Sequence, residues 1–523
     1  MAKGVSEMYT LGDVPRKGAK ISPRKTALVF EDRRISYSEL DERVNRLANA
    51  LLGLGCARGD RLTILSENTN KYLEVYFAAA KAGLSVTPLN FRLSDAELAH
   101  IVNDSEAAVF FVGDGYEART RAVMSQLVNI RDWIALDNRA EGFQFHEDLI
   151  RDASPEDPHV EVGEDDLAIL MYTGGTTGLP KGVMLSHRNI LSAMYGLIIS
   201  YSFTRHDTEC FILPLFHISI WPVLCVLMVG GTVVVLRRPD LLKLLEAVES
   251  EKCTHIVLVP TLLVWILDIP NLETFDLSSL RLITYAGSPM PAEVLRRCVE
   301  KFGHIFSQGY GLTEAAPLVT AMFPEDHYFE GPKTALLKSV GKEGPTVEVR
   351  VFDENDSPVQ AGEAGEIVVR GKNTMKGYWK NKELTARTLR GGWLHTGDVG
   401  TMDEEGYIYL LDRKADMIVT GGENVYPKET EDVLYENPAV QECAVVSAPD
   451  PKWGERVQAV VVLKENHAIT EADLIAHCKQ RLAGYKCPKK IEFWQELPKT
   501  PIGKIIRKEV KRHFWKDHEK MIG

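Results

Sequence analysis

Hydrophobic positions along the chain recur in two alternating patterns. Short β-branched runs at 61–67 and 107–113 predict buried strands, and the amphipathic stretch at 70–83 predicts a helix between them. Two further apolar runs, at 254–260 and 281–287, are each followed by a helix-like segment. Parallel strands need long crossover connections, so this alternation predicts an α/β fold in which parallel sheets are covered by helices on both faces.

The pattern changes from about residue 340. Closely spaced strands separated by Gly and Asp turns are predicted at 347–356, 365–371 and 406–413. Short strands without intervening helices are typical of an antiparallel or barrel-like unit. We therefore expect a smaller β-rich subdomain here.

A compact α+β unit follows. Apolar runs at 442–450 and 457–464 predict strands, and 471–483 predicts an amphipathic helix. A unit of this size is typical of a separate domain. We expect an N-terminal domain over residues 1–412, which includes the β-rich subdomain, and a C-terminal domain over residues 413–523.

One apolar stretch, at 210–236, contains no Asp, Glu, Lys or Arg and is long enough to span a bilayer. Pro214, His217, Pro222 and the glycine pair at 230–231 divide it into short pieces. Such pieces favour a strand, a short helix, a turn and a second strand in a buried α/β core over a membrane span.

Composition narrows the functional classes. The 523 residues are 45% hydrophobic and 26% charged, which is typical of a soluble globular protein. A net charge of −12 makes nucleic acid an unfavourable partner. The eight cysteines lack any C-x-x-C spacing, which argues against a zinc site and a disulfide framework and indicates a reducing compartment. The first residues contain no apolar signal segment, so we expect a cytoplasmic protein without a transmembrane segment.

A loop rich in glycine and threonine follows the apolar strand at 167–173, and a helix is predicted to start near Ser186. Glycines let backbone N–H groups wrap an anion, threonine hydroxyls add donors, and Lys181 adds positive charge. The loop therefore predicts a phosphate site. Walker A spacing is excluded because Pro180 stands where glycine is required, and residues 53–59 are one residue too long for a Rossmann fingerprint.

This loop resembles the signature of the adenylate-forming superfamily, which includes acyl-CoA synthetases, firefly-type luciferases and peptide-synthetase adenylation domains. The usual pattern is Tyr-Thr-Ser-Gly-Thr-Thr-Gly-x-Pro-Lys-Gly, and this chain departs from it once, with Gly174 in place of serine. That departure implies an altered ATP affinity without loss of the reaction. By resemblance, Thr176 is catalytic, and ATP is bound by Thr173, Gly174, Gly175, Thr177, Gly178 and Lys181.

The other motifs of the superfamily follow in the same order over nearly the whole chain. Residues 308–314 resemble the adenine motif: Gln308 and Gly309 belong to the nucleotide site, Tyr310 stacks on adenine, Thr313 contacts phosphate and Glu314 holds Mg²⁺. Carboxylate oxygen is a preferred ligand of this hard cation. Residues 392–398 resemble the ribose motif, with Asp398 accepting from the ribose hydroxyls. Arg413 is implied to contact ribose and phosphate, and Lys504, in a motif at 498–504, is implied to be the catalytic lysine.

The resemblance implies a two-step reaction. A carboxylate attacks the α-phosphorus of ATP, which gives an acyl adenylate and pyrophosphate, and the thiol of CoA then displaces AMP. Members rotate the C-terminal domain between the two steps about a hinge that falls on Ala415, where Asp or Lys is usual. Gly421, Gly422 and Asn424 are implied to line the pantetheine tunnel.

The acyl pocket is implied by several short segments. His217 matches an aromatic or histidine position of the acyl site and is assigned a catalytic role, and Trp221 lies one turn later. We hypothesise that Trp221 shortens the pocket and favours a compact aromatic, alicyclic or short-to-medium-chain acid over a long chain; packing of this side chain in the core is the alternative. The remaining predicted pocket residues are Ile220, Tyr285, Ala286 and Gly287.

Other functions remain open at the level of the motifs. An enzyme that passes the acyl group to a carrier protein or another acceptor is the closest alternative, and a luciferase-like oxygenase shares the motifs. A nucleotide-binding module without catalysis does not require Lys504 together with Glu314. We expect a small-molecule carboxylic acid, ATP and CoA as partners, with Mg²⁺ as cofactor, and leave open the acid, the physiological direction and the oligomeric state, including a homodimer.

Overall fold

A computed structural model describes residues 10–173, 180–287, 290, 292–413, 416–420, 423–450, 453–465, 467–499 and 505–516. For residues 412, 413, 423 and 424 it describes the backbone alone.

The strands in these ranges are β1 Thr26–Phe30, β2 Arg33–Ser36, β3 Arg61–Leu65, β4 Ser85–Pro88, β5 Ala107–Val112, β6 Asp132–Ala135, β7 Gln144–Phe145, β8 Leu167–Thr173, β9 Lys181–Ser186, β10 Thr208–Phe211, β11 Thr232–Val235, β12 His255–Leu258, β13 Leu282–Ala286, β14 Phe306–Gly311, β15 Leu318–Met322, β16 Lys342–Glu343, β17 Val347–Phe352, β18 Gly365–Gly371, β19 Gly377–Tyr378, β20 Leu394–Met402, β21 Ile408–Arg413, β22 Ile418–Thr420, β23 Glu423–Val425, β24 Val440–Asp450, β25 Gly454–Leu463 and β26 Lys490–Phe493.

The α-helices are α1 Asp13–Ile21, α2 Tyr37–Gly53, α3 Asn70–Ala82, α4 Asp95–Ser105, α5 Glu117–Val123, α6 His146–Asp152, α7 His187–Tyr201, α8 Trp221–Met228, α9 Leu241–Glu251, α10 Pro260–Leu267, α11 Ala292–Phe302, α12 Lys382–Thr388, α13 Pro427–Tyr435, α14 Glu471–Lys479 and α15 Arg507–Trp515. Short 3₁₀ turns at Ile218–Ile220 and Thr313–Ala315 lie in predicted motifs.

Two large sheets form the N-terminal part, which confirms the predicted α/β class. One has the order β16-β15-β14-β13-β12-β10-β11-β1-β2 and the other β19-β9-β8-β4-β3-β5-β6-β7. Their central strands pair in parallel, with antiparallel pairs towards the edges. Most buried apolar side chains of both sheets and their helices join in one continuous core, and a smaller cluster packs between β5 and α4.

The apolar stretch at 210–236 folds as its interruptions predicted. It contributes β10, the 3₁₀ turn Ile218–Ile220, α8 and β11, and the two strands pair with each other in parallel inside the nine-stranded sheet. Among the described residues, no helix combines the length and apolar character needed to cross a membrane.

The sequence analysis did not identify strand β9. It pairs antiparallel with β8 and brings Lys181 opposite Thr173, at the two ends of the glycine- and threonine-rich loop. Helix α7 then begins at His187, in agreement with the predicted start near Ser186. The Ser186 hydroxyl accepts from the Asn189 N–H, and the Asn189 side chain accepts from the Ser186 N–H. This reciprocal cap satisfies two backbone donors at the start of the helix.

The β-rich subdomain is an antiparallel sheet of order β17-β18-β20-β21, as the spacing of its strands predicted. The C-terminal region has its own sheet, in which the edge strand β24 forms a long pair with β25 and β26 joins β25 in parallel. The domain boundary between residues 412 and 413 stays a prediction.

A buried ion network lies beside helices α2, α3 and α6. Arg43 on α2 donates to both carboxylate oxygens of Glu74 on α3, at 2.9 and 3.0 Å, and to Glu147 on α6 at 2.8 Å. The Glu74 side chain is completely buried. Burial raises the pKa of a carboxyl group, but Arg43 and His146 outweigh it here and keep the pKa of Glu74 below its usual range. The ion pairs of this network therefore connect α2, α3 and α6.

Candidate active site

Strands β13 and β14 bring two predicted motifs to one edge of the nine-stranded sheet. They pair in parallel, with Tyr285 opposite Gln308 and Ala286 opposite Gly309. Both strands end at this edge, and in open α/β sheets ligands bind at the carboxyl ends of the strands. The predicted acyl-pocket strip and the predicted nucleotide strip are therefore neighbours.

The side chains predicted to hold adenine and ribose are in direct contact. The Tyr310 hydroxyl donates to Oδ2 of Asp398 at 2.6 Å. Asp398 lies on β20, and its own N–H donates to the Thr396 hydroxyl at 3.0 Å. Between them, Gly397 has φ +74°, a backbone conformation that favours glycine. The two motifs predicted to hold the nucleoside thus lie side by side.

Strand β21 places the backbone of Arg413 at the same point. It pairs antiparallel with β20, and Asp398 stands opposite Arg413 in the register. Directly opposite residues lie within about 4.5–5.5 Å of one another on antiparallel strands. The backbone register is therefore compatible with a joint role at the ribose, although the Arg413 side chain lies outside the described structure.

Glu314 and Lys181 both contact a tyrosine, Tyr378, that the sequence analysis missed. The Tyr378 hydroxyl donates to Oε1 of Glu314 at 2.8 Å, and the Lys181 ammonium lies 5.8 Å from the centre of the Tyr378 ring. Thr313 opens the 3₁₀ turn that carries Glu314. Nothing in the local pattern around Tyr378 distinguishes it from a core aromatic residue, so no sequence signal would have identified it.

Several predicted residues lie outside the described structure. The ends of the phosphate loop, Thr173 and Lys181, are described, as is the backbone of Asn424 in β23. Those outside the described ranges are Gly174, Gly175, Thr176, Thr177, Gly178, Ala415, Gly421, Gly422 and Lys504.

The donor set at Glu314 suits a magnesium ion bound jointly with substrate phosphates. Among the described residues there is no group of three or more His, Cys, Asp and Glu side chains that would hold a metal by itself. Mg²⁺ keeps several waters and is commonly held by one or two carboxylates together with substrate phosphates. A single partly exposed carboxylate beside the phosphate-loop lysine fits that mode.

The predicted acyl-site residues differ in exposure. His217 is partly exposed, and its Nδ1 accepts from the Ser219 N–H at 3.4 Å. Ile220 and Trp221 are completely buried, and no acceptor for the Trp221 indole N–H lies among the described residues. In this structure these two side chains therefore lie behind the accessible surface around His217.

Successive side chains of the strip at 285–287 lie on opposite faces of the sheet. Tyr285 is buried, and its hydroxyl lies 3.0 Å from Nε2 of His327 and 3.4 Å from Oε1 of Gln308. Ala286 and Gly309 are partly exposed, and Gly287 is exposed. The accessible wall thus consists of small residues.

Tyr201, at the end of α7, lies behind this wall and was also missed. A Cβ atom on Gly309 would lie 2.9 Å from the Tyr201 hydroxyl and 3.9 Å from the Ala286 Cβ. Tyr201 is only 4% exposed, and its ring lies 6.5 Å from that of His255. It therefore closes the space behind Gly309.

Behind Tyr201 lies a buried polar pair on neighbouring strands. His255 Nδ1 is 3.7 Å from Oε1 of Glu209, and both side chains are fully buried. Burial raises the pKa of Glu209 well above its usual range and lowers the pKa of His255 to about 3. Burial therefore favours the neutral form of both groups. His255 Nε2 is held by Thr284 at 2.9 Å.

Comparisons with known proteins identify the family of this chain. Residues 16–379 match the model of the AMP-binding enzyme family, and residues 429–504 match that of the AMP-binding enzyme C-terminal domain. The chain is 40% identical over 506 residues to a feruloyl-CoA synthase from Amycolatopsis, which covers 96% of this chain and 99% of the relative.

Two further matches cover similar lengths. An indoleacetate–CoA ligase from Aromatoleum aromaticum is 35% identical over 502 residues, with 94% of this chain and 96% of the relative covered. The structure of ATP-bound MatB from Rhodopseudomonas palustris superposes with a TM-score of 0.88 at 32% identity, covering 97% of this chain and 99% of the other. The chain therefore belongs to the AMP-binding enzyme family and is an ATP-dependent, AMP-forming acid–thiol ligase of the acyl-CoA synthetase type.

Proposed function

We propose that this acyl-CoA synthetase activates a compact carboxylic acid, with an aromatic acid as the first candidate. The observation that supports it is the closure of the space behind Gly309 by Tyr201. A buried tyrosine at that point leaves little room for a long alkyl chain. Two relatives are named for aromatic acids, ferulate and indoleacetate.

In the first step, a carboxylate oxygen forms a bond to the α-phosphorus of ATP while the bond to the pyrophosphate oxygen breaks. Both reactants are anions, so catalysis consists mainly of alignment and charge neutralisation. Tyr310 and Asp398 hold the nucleoside end, and Lys181 places positive charge beside the phosphates. Lys504 supplies further positive charge at the reacting phosphate, and Thr176 and His217 contact the reactants on the phosphate and acyl sides.

Mg²⁺ would be held by Glu314 together with the phosphates of ATP. When bound, it neutralises phosphate charge and orients the leaving pyrophosphate. Glu314 supplies a fixed carboxylate for it, oriented by the Tyr378 hydroxyl. The adjacent Thr313 hydroxyl contacts phosphate.

In the second step, the sulfur of CoA attacks the carbonyl carbon of the adenylate, the acyl–oxygen bond breaks, AMP leaves and the thiol proton is released. Lys504 withdraws as the C-terminal domain rotates about Ala415, and Gly421, Gly422 and Asn424 line the path of the pantetheine arm. A small hinge residue absorbs backbone rotation without a side-chain clash. Arg413 holds the ribose and phosphate in both steps.

A product screen by mass spectrometry tests the proposal. The protein receives ATP, Mg²⁺ and a panel of cinnamates, benzoates, alicyclic acids and linear acids, with and without CoA. We expect acyl-CoA and AMP from compact acids, with aromatic acids first, and loss of adenylate formation in Lys504→Ala. A preference for long linear acids would overturn the substrate proposal. Adenylate that forms but never passes to CoA would instead favour the alternative of a carrier protein or another acceptor.

A further inference from the structure

Tyr378 lies on a short strand that is attached directly to the exit of the phosphate loop. Strand β19 pairs antiparallel with β9, with Tyr378 opposite Val183 and Gly377 opposite Met184. The next residue, Trp379, donates its N–H to the Gly182 carbonyl at 2.8 Å. The backbone around Tyr378 therefore follows any displacement of β9, the strand that begins at Lys181.

The same segment is also attached to the turn that carries Glu314. The Met375 N–H donates to the Glu314 carbonyl at 2.8 Å, and the Tyr378 hydroxyl donates to the Glu314 carboxylate at 2.8 Å. From the other side, the Tyr378 N–H donates to the Thr385 hydroxyl of α12 at 2.9 Å. Tyr378 is 8% exposed. Its ring is therefore fixed by backbone and side-chain contacts on two sides.

We propose that Tyr378 is a positioning residue that sets Glu314 and Lys181 relative to each other for binding of metal and nucleotide. This inference rests on the proposed roles of Glu314 at Mg²⁺ and of Lys181 at the phosphates. The phenol donates one hydrogen bond to Oε1 and so orients the carboxylate, and the ring face attracts the ammonium through a cation–π contact.

The chemistry of tyrosine explains why a neutral group serves here. An arginine or lysine donating to Glu314 would cancel its charge and compete with the metal. A phenol orients the carboxylate and leaves the negative charge in place. The hydroxyl contacts Glu314 and the ring face contacts Lys181, so one neutral side chain touches both groups.

Tyr407 offers a matched control elsewhere in the chain. Its hydroxyl donates to Oδ1 of Asp326 at 2.7 Å, and the Lys342 ammonium lies 4.3 Å from its ring centre. Tyr407 is likewise buried, at 5% exposure. Tyr407→Phe therefore removes the same kind of hydrogen bond, next to the same kind of lysine contact, without touching Glu314.

The test measures ATP binding by isothermal titration calorimetry as a function of Mg²⁺ concentration, in variants whose circular dichroism spectra match the wild-type protein. Tyr378→Phe keeps the ring and is expected to raise the Mg²⁺ concentration for half-maximal ATP binding about tenfold, the scale of a hydrogen bond to a charged group. Metal-free ATP binding is expected to stay unchanged. Tyr378→Leu also removes the ring and is expected to weaken metal-free ATP binding about two- to fivefold through Lys181.

Steady-state kinetics supply a second readout. In Tyr378→Phe we expect a higher KM for ATP and an unchanged KM for the acid, whereas Tyr407→Phe leaves both unchanged. Glu314→Gln separates the two hypotheses. If Glu314→Gln loses the Mg²⁺ dependence and Tyr378→Phe keeps it, the positioning role is overturned while the proposed function stands. If Glu314→Gln itself keeps the wild-type Mg²⁺ dependence, the assignment of Glu314 fails and the role of Tyr378 fails with it.

Discussion

The Tyr310 hydroxyl donates a 2.6 Å hydrogen bond to the carboxylate of Asp398, a residue 88 positions later in the chain. The bond joins the end of a large-sheet strand to a strand of the β-rich subdomain. It orients the carboxylate that is proposed to accept from the ribose hydroxyls. A charged acceptor held in this way discriminates strongly between ligands that carry the hydroxyl donors and ligands that lack them.

We therefore expect Asp398→Ala to weaken ATP binding about 10- to 100-fold, the range for a hydrogen bond to a charged group. The wild-type protein should prefer ATP to 2′,3′-dideoxy-ATP, and the variant should lose that preference. Calorimetric titration of both nucleotides measures this preference. An unchanged preference in the variant would show that another group contacts the ribose.

Tyr201 is predicted to limit the length of the acid. Replacing it with alanine removes the group behind Gly309, so kcat/KM for longer acids relative to compact ones should rise about tenfold or more. Tyr195→Ala is a suitable control, because Tyr195 lies on the same helix but is 43% exposed. The same assay on Trp221→Ala tests whether that buried side chain also shortens the pocket. An unchanged ranking of acids in Tyr201→Ala would argue against a role in specificity.

Arg43 is predicted to be critical for stability. Arg43→Met leaves the completely buried Glu74 carboxylate without its main partner, and the loss should be about 3–5 kcal/mol in the free energy of unfolding. The double variant Arg43→Met/Glu74→Leu should recover much of that loss, because the buried Glu74 carboxylate is removed together with its partner. Urea unfolding measures the free energy of unfolding of both variants.

The exposed pair of Arg34 and Glu251 is the matched control for this measurement. Arg34→Met should cost less than about 1 kcal/mol, because water screens an exposed pair. Equal losses of unfolding free energy in Arg34→Met and Arg43→Met would contradict the proposed effect of burial.

His187 is predicted to make stability depend on pH. Burial lowers the pKa of His187 to about 4, below the value near 6.5 expected in the unfolded chain, and its Nδ1 accepts from the Leu11 N–H. Between these two values the unfolded state binds a proton that the folded state does not. The contribution of His187 to the free energy of unfolding is therefore complete above about pH 6.5. It is lost as the pH falls towards 4, by at most about 1.4 kcal/mol per pH unit.

In His187→Asn this contribution disappears. Comparing urea unfolding at pH 7.5 and pH 5, we expect a smaller loss of stability in the variant than in the wild-type protein, and a wild-type loss in the exposed variant His206→Asn. Parallel pH profiles for all three proteins would show that His187 titrates with an ordinary pKa.

Local patterns identified many of the elements, and the resemblance of the motifs to those of a known superfamily indicated the type of reaction. Adenylation needs backbone amides, hydroxyls and a lysine close together in one loop, and Tyr310, Thr313 and Glu314 lie within five consecutive residues. Functional residues that lie close together in the sequence can be identified from the sequence alone. Hydrophobic spacing likewise predicted the fold class, because burial imposes a period on each element. Strand β9 was not predicted, because a short run that contains a glycine and adjoins a glycine-rich loop has no distinct hydrophobic period.

The partners of these residues depended on the tertiary structure. Tyr378 reaches Glu314 across 64 positions, and Tyr201 lies behind Gly309 through packing of a helix end on a strand. Periodicity shows that a tyrosine is buried but not which residue it contacts. The order of parallel strands and the long crossovers between them decide that contact, because each strand pairs with neighbours that are distant in sequence.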